Sequence, residues 1–433
     1  MIAGPLPSPL ARRVGSGAVA RLLEAVLPAR MGASFRWLVA SSWSSDFGDG
    51  LGLAAGPLLI ASQTQDPLLV ALAGFLQQLP WLLVGLHAGV VADRVDRRRI
   101  VFVGDLSRAG VLAVLSATVV TGSVNTGIVL AAMPLLGIAK VFSATATGTL
   151  LPMVVGDEDL GIANARLMTG FVTANQLVGP AVGAAMFAAG RAWPFVTETV
   201  CVALGAVLVT QLRVTALPRP AVRARVAHDV MEGLRWTWGN APVRTLTLAI
   251  VTFNVTFGAA WSVLVLYASR RLGLGAVGFG LLASVGALGG LVGTATYDAL
   301  QRRASLANIL RVGLIIETFT HLGLALTTSA TVAMGIMFVF GAHAFIWGTT
   351  SRTVRMRAVP AALQGRVGSL YSIGVFGGIL AGQGIGGVVA RIWGVTAPFW
   401  FAFVGSALIL ALIWRQLGHV AHARAVAPDP SAA

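Results

Sequence analysis

Residues 89 to 99 read GVVADRVDRRR, a short stretch holding four arginines and lying between two long apolar runs. Such a cluster cannot reside in hydrocarbon, so both apolar runs must stop there, on the same side of a membrane. The stretch is therefore expected to be a cytoplasmic hairpin turn between two transmembrane helices.

Composition agrees. Of 433 residues, 56% are hydrophobic and 11% charged, whereas soluble domains carry roughly 25% charged residues. With a mean hydropathy of +0.82, a soluble fold could not hide this much apolar surface. The net charge of +15 would suggest nucleic acid in a soluble chain, but here the basic residues lie between apolar runs, as the positive-inside rule requires, so no nucleic-acid partner is expected. The one cysteine, Cys201, excludes an intramolecular disulfide and a cysteine-based metal site. No metal or cofactor is expected.

Turn signals, charges and Gly/Pro clusters divide the chain into twelve segments, each about the 20 residues that a bilayer requires. They fall near 35–61, 68–92, 99–121, 127–151, 160–189, 193–212, 243–268, 275–299, 306–327, 330–352, 363–390 and 396–416. Residues 1–34 carry Arg12, Arg13, Arg21 and Arg30 without an apolar core and read as a cytoplasmic tail, not a signal peptide. The expected organisation is this tail, a six-helix bundle over 35–213, a cytoplasmic linker over 214–242, a second bundle over 243–417 and a tail over 418–433. Within the linker, Val226, Val230 and Leu234 recur at four-residue spacing, which predicts a helix lying on the membrane surface.

Orientation follows from the arginines. The odd-to-even turns hold Arg191, Arg270, Arg271 and Arg391, whereas the opposite face collects Arg94, Arg97, Arg98, Arg99, Arg213, Arg219, Arg223, Arg225, Arg235, Arg302, Arg303, Arg352, Arg355, Arg357 and Arg366. The richer face is expected to be cytoplasmic, with both termini inside the cell membrane.

The two halves share their punctuation. Asp93, Arg97 and Arg98 recur as Asp298, Arg302 and Arg303, and Pro152 after the fourth span recurs as Pro360 after the tenth. Six is an even number, so the repeats run parallel, related by an axis along the membrane normal.

GVVADRVDRRR resembles the loop motif between the second and third spans of the major facilitator superfamily. Gly89, Asp93, Arg94, Arg97 and Arg98 fit that motif, and Asp96 stands where a second glycine is usual. LPMVVGDEDLGIANARL at 151–167, QLVGPAVG at 176–183 and VPAALQGRVGSL at 359–370 are similar to the enterobactin-exporter-like branch of that superfamily. The resemblance covers about residues 35 to 417. It implies an all-α membrane fold of two parallel six-helix bundles, a substrate path between them, a monomer in the bilayer and no enzymatic activity. It also implies that Asp93 meets the start of the eleventh span, around Gln364, Gly365 and Arg366, and latches the inner face shut. Gly179, Pro180 and Gly183 resemble in part the fifth-span antiporter motif, with Ala184 in place of its last glycine. Pro180 removes a helix hydrogen bond and the glycines permit close packing, so a bend is expected where the halves meet.

The embedded polar residues are the candidates for chemistry. Lys140, the one lysine against thirty arginines, lies in the fourth span, where an unpaired charge costs several kcal/mol. Asp46 and Asp49 are three apart on one face of the first span. By the resemblance, the first, fourth, seventh and tenth spans line the cavity, so either acid can pair with Lys140. A buried carboxylate beside a cation exchanges protons as the cavity opens to one side or the other, or else serves as a static pair that fixes helix rotation. Glu317 precedes His321 by one turn, and Asp105 precedes Arg108 by three residues; local pairs are expected at both. Asp157, Glu158 and Asp159 suit either capping of the fifth span or pairing with the loop arginines. Gln77, Gln78, Asn175, Asn254, Trp261, His343, Trp347 and Gln383 are the expected cavity residues, and they suit an amphiphilic or aromatic substrate.

The leading expectation is a proton-coupled exporter of small organic molecules such as siderophores, drugs or secondary metabolites. A membrane enzyme would need clustered catalytic residues at one face, but the six histidines are scattered and form no motif. A non-transporting sensor or scaffold on the same fold is the remaining alternative; the presence of Asp46, Asp49 and Lys140 argues against it.

Overall fold

The computed structural model describes residues 29–214, 226–360 and 363–417. The expected tails therefore lie almost wholly outside the described residues, as do linker residues 215–225. Among the described residues the elements are helical, with no strand.

Each expected span is occupied by a helix. The first is Gly32–Gln63, the second Pro67–Leu83 followed by Gly85–Arg94, the third Arg97–Val120 and the fourth Thr126–Leu150. The fifth combines Leu160–Gly170, Phe171–Val178 and Gly179–Ala189, and the sixth is Trp193–Val209. The linker helix is Val226–Gly239. The seventh span is Ala241–Trp261 with Leu264–Arg270, the eighth Ala276–Arg303, the ninth Leu306–Leu326, the tenth Ala330–Ala358, the eleventh Gln364–Trp393 and the twelfth Ala397–Ile413. Eight of these helices are long and apolar enough to cross a bilayer individually, and the bent second span passes when its two parts are taken together. The first is long but carries a polar run, Ser41 to Asp49, and the sixth and twelfth are 17 residues each. Apolar side chains such as Val114, Val200, Leu408 and Leu412 are largely exposed, as a lipid-facing belt requires.

Helix starts are set by side chains that satisfy the free backbone N–H groups. Asp66, Asp96, Asn125, Asn240, Ser305 and Ser329 accept from Leu68, Arg98, Ile128, Val243, Asn308 and Val332, beginning the second, third, fourth, seventh, ninth and tenth spans. Asp96, which replaces the motif's usual glycine, is thus a helix cap. In the odd-to-even turns, Gly122 and Gly394 turn the chain at φ 71° and 91°, values open to glycine.

Three spans depart from the expected single rods, the seventh by its break between Trp261 and Leu264. The second bends by 50° between Leu83 and Gly85. Pro80 has no N–H to bond one turn back, and the segment that carries the motif is redirected. The middle of the fifth span, Phe171–Val178, is wound as a π-helix. Its wider turn has no hydrophobic signature and was not expected.

Within the first half, the first span packs on the fifth and sixth, the third on the fourth and sixth, and the second on the fourth. The second half repeats this: the seventh on the eleventh and twelfth, the ninth on the tenth and twelfth, the eighth on the tenth. Between halves, the second span meets the eleventh and the fifth meets the eighth.

The two faces differ. Near the odd-to-even turns one apolar cluster joins both halves, taking in Leu59, Ile60 and Val70 with Leu264, Tyr267 and Phe279. There Arg270 donates to Gln65 O and Oε1 at 2.6 and 2.8 Å, and Arg391 lies 3.6 Å from Asp66. Toward the GVVADRVDRRR face, the buried clusters are confined to one half each: Phe35, Ile100, Ala146 and Leu212 on one side, and Ala249, Leu310 and Trp347, then Val243 and Val367, on the other. The halves are closed at the turn face and parted at the motif face.

Candidate functional site

The first, third and fourth spans bring six polar groups together in mid-bundle. Asp49 forms ion pairs with both Arg108 and Lys140. Arg108 also reaches Asp105 at 3.2 Å, and Asp105 accepts from Ser143 at 2.7 Å and Ser45 at 3.2 Å. Asp105 and Arg108 are almost fully buried, so each must be balanced within the cluster. Of the two acids expected beside Lys140, Asp49 holds it. The backbone O of Asp46 accepts from Asn175 at 3.2 Å, while its carboxylate forms no hydrogen bond or ion pair with the described residues.

Arg108 makes more than the local bridge to Asp105 that its three-residue spacing predicts. It lies eleven residues past Arg97, the start of the helix, which at 1.5 Å per residue puts it about 17 Å into the bundle. That depth was the available signal that it belongs with Lys140. Ser45 and Ser143 had no such signal.

In the second half, Glu317 is enclosed. His321 and His343 bond its two carboxylate oxygens through Nε2 at 2.9 and 3.0 Å, and all three side chains are at most 2% exposed. The expected Glu317–His321 pair is present. His343, expected on the cavity wall, instead completes the triad, because Gly313 leaves room for its ring beside Trp347.

Between the halves lies a cavity of about 450 Å³. Of the expected residues, Gln77, Trp261 and Gln383 are on its wall. Gln78, Asn175, Asn254, His343 and Trp347 are not. Asn254 donates to Ile250 O at 2.7 Å on its own helix, and Trp347 stacks on Phe253 at 6.0 Å. Both are drawn into packing between helices. Glu198, Gln176, Phe257 and Phe340 line the cavity. The charged cluster lies one turn nearer the motif face, since Gly52, Leu112 and Leu136 of the wall follow Asp49 by three residues, follow Arg108 by four and precede Lys140 by four.

The profile of a family described as a transmembrane secretion effector matches residues 25–432. The chain belongs to this family of major facilitator transporters. It is 28% identical over 354 residues to the multidrug efflux pump Tap of Mycolicibacterium fortuitum, covering 77% of this chain and 85% of that one. Its fold is similar to a bacterial homologue of the iron transporter ferroportin in its inward-facing state, with a TM-score of 0.68 at 16% identity over 91% and 99% of the two chains. It is also similar to the nucleoside transporter NupG, with a TM-score of 0.70 at 11% identity over 89% and 100%. It is a multi-pass membrane transporter, not an enzyme.

The transporter's signature residues are arranged as follows. Asp93 lies 3.8 Å from Arg97 and is half exposed, so in this conformation it is not latched onto the eleventh span. Gly89 has open space around it. Arg94 is exposed at the end of its helix. Arg97 donates to Met153 Sδ at 3.0 Å, and Arg98 pairs with Asp96 at 2.9 Å while donating to Leu212 O. The Arg98 guanidinium holds the Asp96 carboxyl below the usual carboxylate range. At the start of the eleventh span Arg366 pairs with Glu232 of the linker helix at 2.7 Å. Asp159 occupies the expected N-cap position of the fifth span without making a side-chain cap bond, and its carboxylate pairs at 2.8 Å with Arg30, an arginine outside the motif.

Gly179 and Gly183 lie against the first span, where an added Cβ would meet Gly50 C at 2.6 Å and Leu51 Cα at 2.7 Å respectively. Pro180 lines the cavity and faces Gly280 of the eighth span. The motif therefore secures contact on two sides, and the irregular winding of this span lies just before it, not at the proline.

Proposed function

We propose that this transporter exports small organic molecules from the cytoplasm by alternating access, driven by protons moving inward. The observation that carries the reading is the embedded cluster one turn below the cavity. Asp49 and Asp105 balance Arg108 and Lys140, which leaves Asp46 as a carboxyl without a cation of its own. A spare carboxyl in a low-dielectric interior is neutral when protonated and costly when not, so its proton comes and goes with access to water.

The arginine bias supports a cytoplasmic motif face, with both termini on that side. The conformation described is then open inward: turn face sealed, motif face parted, Asp93 released. The multidrug pump Tap supports export of drug-like molecules, and the mixed aromatic and amide wall suits amphiphiles. Asp46, Asp49 and Lys140 carry the coupling, while Glu317, held by two histidines off the cavity wall, clamps the ninth and tenth spans. The protein works as a monomer.

The test is flux in proteoliposomes of fixed orientation. An imposed pH gradient should drive a fluorescent amphiphile against its concentration gradient, and Asp46→Asn should retain binding but lose the dependence on the gradient. Gradient-driven flux that survives in Asp46→Asn and Asp49→Asn alike would refute proton coupling through this cluster.

A further inference from the structure

Glu198 lies in the outer third of the sixth span and is 7% exposed. Both carboxylate oxygens rest against Gly52 of the first span, where an added Cβ would lie 2.8 and 3.0 Å from them. The missing side chain at Gly52 is what makes room for the acid. Arg108 and Lys140 lie within electrostatic reach, yet both are already paired with Asp49 and Asp105. Among the described residues, the Glu198 carboxylate makes no hydrogen bond or ion pair.

Among the described residues that line the cavity, Glu198 is the single ionisable one. The buried Gln383 Oε1, also on the wall, is a second acceptor without a donor. Opposite, Phe257, Trp261 and Phe340 form an aromatic wall with ring centroids 4.5 and 4.7 Å apart. Acceptors without donors, facing aromatic rings, specify a ligand that brings positive charge on an apolar body. A lone carboxylate is too poor a donor set for a metal ion, and among the described residues no group of three metal-ligating side chains occurs.

We propose that Glu198 receives the positively charged end of the transported molecule, and that the substrates are apolar organic cations, amines or quaternary ammonium or phosphonium ions, whose bodies pack on the aromatic wall. The inference rests on the export reading and names its substrate class. Proton and substrate then compete for one carboxylate, so occupancy by one expels the other. The charged and titratable groups around it are Asp46 and Asp49 on the first span, Asp105 and Arg108 on the third, Lys140 on the fourth and Cys201 on its own helix.

Tetraphenylphosphonium and tetraphenylborate share size and shape and differ in the sign of charge. Equilibrium binding of each to the purified full-length transporter in nanodiscs separates charge recognition from apolar partition. The cation should bind wild type, and more weakly as the pH falls, whereas Glu198→Gln should lose about tenfold or more in affinity for it without losing the pH-independent remainder. Gly52→Ala, which crowds the carboxylate but leaves it present, should give an intermediate loss. Tetraphenylborate should bind wild type more weakly than the cation and gain affinity in Glu198→Gln. Equal binding of the cation by wild type and Glu198→Gln, or preference of wild type for the anion, overturns the proposal. Thermal melting of each variant confirms a folded sample. Binding is read without a gradient, so Glu198-dependent binding with no flux would leave this site standing and sink the export reading. Gradient-driven flux of neutral amphiphiles without cation binding would do the reverse.

Discussion

Asp49 is bonded to two cations at once, which makes its replacement by asparagine the most informative perturbation of the embedded cluster. After Asp49→Asn, Arg108 still has Asp105 at 3.2 Å, but Lys140 has lost its partner. Removing one member of a fully buried pair costs about 3–5 kcal/mol. The Lys140 side chain is 34% exposed, so water recovers part of that, and about 2–3 kcal/mol remains. Lys140→Met removes the cation instead and leaves Asp49 on Arg108, at a cost of about 1 kcal/mol. In the double variant the orphaned charge is gone, so Asp49→Asn should cost about 2 kcal/mol less in the Lys140→Met background than in wild type. The assay is reversible SDS-induced unfolding in mixed micelles, followed for wild type, both single variants and the double. Flux should be impaired in all three variants, including the double variant whose stability is restored. Additive costs, with a coupling below about 0.5 kcal/mol, would refute the ion pair between the first and fourth spans.

Three further outcomes follow from particular contacts. Gly183→Val puts a branched side chain where even a Cβ would lie 2.7 Å from Leu51 Cα, so the first and fifth spans must separate; the variant should fail to yield monodisperse protein by size exclusion, while Gly89→Ala, in open space, should be obtained at normal yield. Asp96→Ala removes a helix cap and should cost about 1 kcal/mol at neutral pH; because the carboxyl is held low in the folded state, the difference from wild type should shrink as the pH falls through the carboxylate range, and a pH-independent difference in unfolding midpoint would contradict the cap. Glu317→Leu leaves two buried imidazole N–H groups unsatisfied and should cost about 3 kcal/mol, with flux per folded molecule retained; loss of flux at unchanged stability would make the triad a proton site instead of a clamp.

The spans were legible because hydrophobic runs and charged turns are linear signals, and the Asp49–Lys140 pair because opposite charges in hydrocarbon have few other options. Glu317 with His321 was legible for a local reason, four residues on one helix. What the residues alone did not give away depends on helix rotation and helix irregularity. His343 reaches Glu317 from another helix 26 positions away. Asn254 and Trp347 occupy spans that line cavities in this fold, yet their rotation turns them into helix contacts. The bend at Val84 and the π-helical turn before Gly179 shift the register of everything beyond them, and neither alters the hydrophobic pattern from which spans are read.

The two halves repeat one set of helix contacts but not their chemistry. Asp46, Asp49, Asp105, Arg108, Lys140 and Glu198 all belong to the first six spans, whereas the second six contribute the aromatic wall and the enclosed Glu317 triad. On the proposed mechanism the halves rock about the contacts of the second span with the eleventh and the fifth with the eighth. Such rocking breaks the links across the turn face, Arg270 with Gln65 and Arg391 with Asp66, but it separates no member of the embedded cluster from another. The embedded cluster therefore cannot couple by rupturing a salt bridge between halves, since all of its members lie in one of them. What rocking changes is which side supplies water to Asp46 and Glu198, and so whether those carboxyls exchange protons with the cytoplasm or with the exterior.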